Sequence, residues 1–131
     1  MDVWTYFAQR EKEHADLSLA PEAPETMFAA EAGSRGMRGR VLGHVHLSDD
    51  AYLEVSEVVV VVDDHIHREE YAYFLVIHGV EVWGYERDLS HDPPVHRHTY
   101  GHSQRIESEP ISFKDVVEMA WRELSRQESS P

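Results

Sequence analysis

The sequence predicts an α+β fold: an antiparallel β-meander of four or more strands over residues 40–87, with a C-terminal amphipathic helix packed on one face. Three observations carry this. From Arg40 onward apolar and polar residues alternate with the period of a strand. The breaks between the alternating runs are too short for parallel crossovers, which need about a dozen residues or more. After Ser112 the apolar residues recur at helical spacing instead. At 131 residues the chain suits one domain large enough to bury a core.

The elements follow in chain order. Residues 2–19 read as a short helix with Val3, Phe7 and Leu17 on one side. Residues 20–38 are rich in Pro, Gly and small residues and read as a loose connection, with Met27 and Phe28 as its anchors. The chain therefore divides into an N-terminal helix and loose segment, 1–38, and a single α+β domain, 39–127. Val41 to Leu47, Tyr52 to Val62, His65 to Ile77 and Val80 to Arg87 are rich in β-branched and aromatic residues. The breaks at Ser48–Ala51, Asp63-Asp64 and His78-Gly79 read as hairpin turns. The last helix should run from Phe113 to Arg126, with Ser112 as N-cap, Asp115 at the third position and Ile111 against Val116 as a hydrophobic staple. Its stripe is Phe113, Val116, Val117, Ala120, Trp121 and Leu124.

Composition narrows the function classes. The absence of cysteine removes disulfides, thiolate metal sites and cysteine nucleophiles. No apolar run approaches the length of a membrane span, and the start Met1-Asp2-Val3-Trp4 lacks the basic and apolar character of a signal peptide, so a cytoplasmic protein that avoids the membrane is expected. The net charge is −13, with Lys12 and Lys114 the only lysines against ten arginines. Acid-rich, lysine-poor composition fits a salty cytoplasm, where screening over about 3 Å silences self-repulsion; a GC-rich genome would also trade lysine for arginine. Either way the overall field repels nucleic acid. From Gly84 to Ile106 the charges of Arg87, Arg97 and Arg105 offset Glu86, Asp88 and Asp92, and a phosphate could approach there.

That window holds His91, His96, His98 and His102 in a proline-punctuated run, read as a loop. Histidine titrates near neutrality and is the commonest metal ligand, so the run points to proton transfer, metal binding or both. Two other His-x-His pairs, His44/His46 and His65/His67, fall on strands. A register that pairs Leu47 with Tyr52 and Val62 with His65 sets these two pairs far apart and on opposite faces, with Tyr71, Tyr73 and Glu86 on the face of His65 and His67.

From Tyr71 onward the chain resembles the TumE-like toxins of toxin–antitoxin pairs, formerly a domain of unknown function. The resemblance rests on the alternating Tyr71-Ala-Tyr73, on Trp83-Gly-Tyr85-Glu86-Arg-Asp88 with His91, and on the box Val95-His96-Arg97-His98 followed by Glu109-Pro-Ile-Ser-Phe-Lys-Asp. It covers about sixty residues and departs from the family where Glu86 replaces an Asp and His91-Asp92 replaces two adjacent histidines. It implies a toxin partnered with a small helix-turn-helix antitoxin.

Three readings of the cluster stay open. In the first, a metal-independent ribonuclease uses His96 and His98 as base and acid with His91 beside them, Arg87 or Arg97 clamping the phosphate, Tyr71, Tyr73 or Tyr85 stacking a base and Glu86 orienting a histidine. His96 and His98 should then lie beside Tyr71, Tyr73 or Glu86 in one concave polar site with His91 on its rim. In the second, a zinc held by His91, His96, His98 and His102 with Asp92 or Glu86 makes a small metal-binding module. In the third there is no catalysis, and the sheet is an interaction surface for an antitoxin or for a second copy of the chain in a homodimer.

Overall fold

The computed structural model describes residues 2–18, 28–33, 35–99 and 105–128. The order is α1 (Val3–Leu17), β1 (Phe28–Ala32), β2 (Arg38–Ser48), β3 (Ala51–Val62), β4 (His65–Ile77), β5 (Val80–Arg87), β6 (Val95–Thr99), β7 (Ile106–Glu107) and α2 (Phe113–Glu128). The strands form one antiparallel sheet in sequence order, β1-β2-β3-β4-β5-β6-β7. The four expected strands are its centre. β1 and the strand β6 lie where a loose connection and a loop were expected: the backbone of Phe28–Ala32 pairs with β2, and the His-x-His box pairs with β5. Met27 and His102 lie outside the described residues. Among the described residues no helix is long and apolar enough to cross a membrane.

Local chemistry explains the hairpins. Asp63 and Asp64 (φ 49° and 63°) and His78 and Gly79 (φ 51° and 75°) put both central turn residues at positive φ, the form whose twist matches paired strands. In β3 the odd-numbered residues Ala51, Leu53, Val55, Glu57 and Val59 are buried and define the covered face. Both helices pack there. α2 contributes Phe113, Val116, Val117, Ala120 and Leu124 to a core with Val45, Leu53, Val55, Tyr73 and Leu75, and Trp121 is only partly buried at its margin. Ser112 caps α2 as expected, its hydroxyl accepting from the Asp115 amide at 3.1 Å. Val3 and Phe7 of α1 pack on Val41 and Val59.

The two helices meet over a charged knot inside the covered face. Glu57 and Arg10 are 1% and 2% exposed. The Arg10 guanidinium donates to both Glu57 oxygens, at 3.2 and 3.1 Å, and lies 3.4 Å from the centre of the Phe113 ring. Tyr6 donates to Glu57 Oε1 at 2.7 Å, Tyr73 donates to Glu57 Oε2, and Arg68 donates to the Tyr73 hydroxyl at 2.8 Å. Burial, followed by the Glu57 charge, pushes both tyrosine hydroxyls up from their usual range.

His14, stacked on Phe113, is held down to about 4 by burial and then by the Arg10 charge. Its folded pKa lies below the unfolded value, so its neutral form stabilises the fold above about pH 6.5, and that contribution is lost as pH falls toward 4. The full span amounts to about 3 kcal/mol. Urea midpoints of the wild type and His14→Gln should therefore converge between pH 7 and pH 4.5. Parallel pH dependence in the two proteins would remove His14 as the cause.

Candidate functional site

The site lies on the other, uncovered face. Directly opposed residues in antiparallel strands share a face. Register runs from Glu54 to Phe74 to Gly84 to His98, and from Ser56 to Ala72 to Glu86 to His96. All of these match even-numbered β3 positions. Tyr71 and Tyr73 match Glu57 and Val55, so they point into the core rather than toward the histidines, and of the neighbours expected for His96 and His98 it is Glu86 that meets them. Arg97 pairs with Tyr85 and belongs to the covered face, as follows once the box is a strand. Arg87 pairs with Tyr71 and Val95, and its Nε donates to the Glu69 carbonyl at 3.1 Å.

Register shifts in β2, β4 and β5 explain the reassigned faces. Register shifts between Val58 and Val59, where β4 carries an extra residue around Glu69. One inserted residue reverses inside and outside beyond it. His65 and His67 keep their expected partners Val62 and Val60, whereas a second register shift, between His46 and Ser48, sets His44 and His46 against Glu54 and Tyr52, so the two pairs share a face. The two pairs remain at opposite ends of β3.

Glu86 is the hub of the cluster. His98 Nε2 lies 3.0 Å from Glu86 Oε1, while His96 Nε2 and His91 Nδ1 lie 3.8 and 3.7 Å from Glu86 Oε2. Each ring is held from behind. His96 Nδ1 donates to the Pro93 carbonyl at 2.9 Å, His98 Nδ1 is 3.3 Å from Glu81 Oε1, and His91 Nε2 is 3.4 Å from Asp88 Oδ2. The loop 88–94, with its cis Asp92–Pro93 bond, folds back over β6 and leaves His96 1% exposed. The His98 and His91 side chains keep 20% and 28% exposure.

Gly84 makes room for this arrangement. A Cβ there would lie 2.4 Å from Phe74 Cδ1 and 3.0 Å from His98 Cε1, so both rings need the bare backbone beneath them. A 180 Å³ pocket lined by Ser56, Glu70, Ala72, Glu86, Arg87 and Asp88 opens beside the hub. Glu81, Phe74 and the Pro93 carbonyl carried no sequence signal, because each joins the site through register or a loop turn. Asp88 was visible only as part of the family-like motif. No family model, curated protein or solved structure matches the chain.

Proposed function

We propose that the protein is the toxin of a toxin–antitoxin pair and that it cleaves RNA at the Glu86–His91–His96–His98 cluster. One observation carries this reading. The polar residues of the TumE-like pattern, supplied by β5, the 88–94 loop and β6, gather around a single carboxylate, while Tyr71 and Tyr73 of the same pattern are buried in the core. Folding alone would use the aromatic half and would not require the titratable half to converge.

Exposure divides the roles. His96 is too deeply buried to exchange a proton with a ribose, whereas the His91 side chain is 28% exposed, its buried Nδ1 turned to Glu86 and its Nε2, beside Asp88, left as the nitrogen that meets substrate. His91 takes the proton of the 2′-hydroxyl and the 2′-oxygen bonds to phosphorus. The bond to the 5′-oxygen breaks, that oxygen takes a proton from water, and a 2′,3′-cyclic phosphate remains. A positioned base contributes roughly 10²–10⁴-fold. The phosphate stands over the floor of the site, formed by Glu86, His96 and His98. The antitoxin is a helix-turn-helix protein whose basic surface complements a chain of charge −13.

Expression without an antitoxin should slow growth, and the purified protein should leave 2′,3′-cyclic ends on RNA. His91→Ala should lower cleavage by roughly 10²–10⁴-fold and restore growth with an unchanged circular dichroism spectrum. Growth inhibition that survives in the folded variant would assign toxicity to binding by the open sheet instead.

A further inference from the structure

We propose that Glu86, His96 and His98 bind one divalent cation of the zinc class, with the fourth position open toward His91. The inference deepens the proposed function by giving the same site a cofactor, and its argument stands on the geometry of the three side chains.

The ring nitrogens are oriented for it. The Pro93 carbonyl takes the Nδ1 proton of His96, so Nε2 carries a lone pair. That nitrogen is buried, has no hydrogen-bond partner, and lies 3.8 Å from a Glu86 oxygen. His98 Nε2 donates to Glu86 Oε1 at 3.0 Å, and with Nδ1 3.3 Å from Glu81 Oε1 the ring can keep its proton on the Glu81 side and offer Nε2 to a cation that displaces this hydrogen bond. The unpartnered His96 lone pair aimed at the Glu86 carboxylate is repelled by it, and a cation between them turns that repulsion into ligation.

One donor atom from each of the three residues falls within a 4.8 Å span. Donors about 2.0–2.2 Å from a tetrahedral metal sit about 3.3 Å apart, so closing on an ion requires shifts of side-chain size only. The Pro93 carbonyl and Glu81 are the outer partners that fix ring orientation and raise ligand basicity in such sites. Two histidines and a carboxylate leave a coordination position free for water or a phosphate oxygen. His91 with Asp88 forms a second group around the same Glu86 but is not part of the three-donor set, so its ring stands beside the open position.

Charge supplies an independent argument. Glu81, Glu86 and Asp88 contact the histidines, while Arg87 and Arg97 occupy the alternate, covered-face positions. Without a cation this floor repels a phosphodiester. A divalent ion bound to Glu86 reverses the local sign and offers the phosphate an electrostatic contact.

The test is titration of the purified, metal-stripped full chain with Zn²⁺ by calorimetry and with Co²⁺ by visible absorption. One equivalent should bind, with the intense d–d bands of a four-coordinate site and a raised melting temperature. Glu86→Gln and His98→Ala, both at partly exposed positions, should abolish that binding while remaining folded. Glu81→Ala should weaken it by about 10–100-fold, and His91→Ala should retain it. Absence of binding, or binding untouched by Glu86→Gln and His98→Ala, would overturn the proposal and assign any bound metal to the strand pairs His44/His46 or His65/His67. Metal bound as proposed by a protein without effect on growth or RNA would sink the toxin reading alone.

Discussion

Glu57→Ala is expected to destabilise the fold by about 3–5 kcal/mol, the range for removing one partner of a buried ion pair. The substitution leaves the 2%-exposed Arg10 guanidinium without its bidentate acceptor and strands the hydroxyls of Tyr6 and Tyr73. Most of the loss comes from the uncompensated charge rather than from the attraction itself. The double change Arg10→Met with Glu57→Leu should consequently recover most of it, because an apolar pair of similar volume carries no desolvation cost. Chemical denaturation of the two variants decides the matter. A double variant as unstable as Glu57→Ala would place the loss in packing and refute the electrostatic account.

Phe113→Ala is expected to cost about 3–5 kcal/mol, as for emptying a buried aromatic site. Phe113 is 6% exposed and ties the two helices together: His14 stacks on it at 5.1 Å, Arg10 lies over its face, and Tyr73 tilts against it at 6.3 Å. Its loss opens a cavity and removes the cation–π contact in the same place. Trp121, the larger aromatic on the same stripe, is only partly buried, so Trp121→Ala should cost less. Equal denaturation midpoints for the two variants, or a larger loss at Trp121, would mean that the stripe turns its other edge to the sheet.

Arg10 and Glu57 illustrate what alternation reveals and hides. Position 57 continues the inward odd-numbered series of β3, and Arg10 continues the buried series Val3, Phe7, Arg10, His14 of α1. Each is a charge at an inward-facing position, visible in the sequence as an irregularity. That the two irregularities satisfy each other across 47 residues of chain is visible only in the fold. The candidate site behaves similarly. Glu86, His91, His96 and His98 were legible as chemistry-bearing residues, whereas Glu81 and the Pro93 carbonyl were not, because their roles come from pairing and from a loop turning back.

The sequence by itself determined the hairpins, their turns, the capped C-terminal helix and the residues of the histidine cluster. These depend on interactions within a few residues: positive φ at Asp63-Asp64 and His78-Gly79, an N-cap at Ser112, and the two periodicities of strand and helix. Only the tertiary structure decided which face the histidines occupy and which neighbours they meet. Extra residues at the bulges of β2, β4 and β5 each reverse facing along the strand, and packing Tyr71, Tyr73 and Glu57 beneath two helices favours the resulting arrangement.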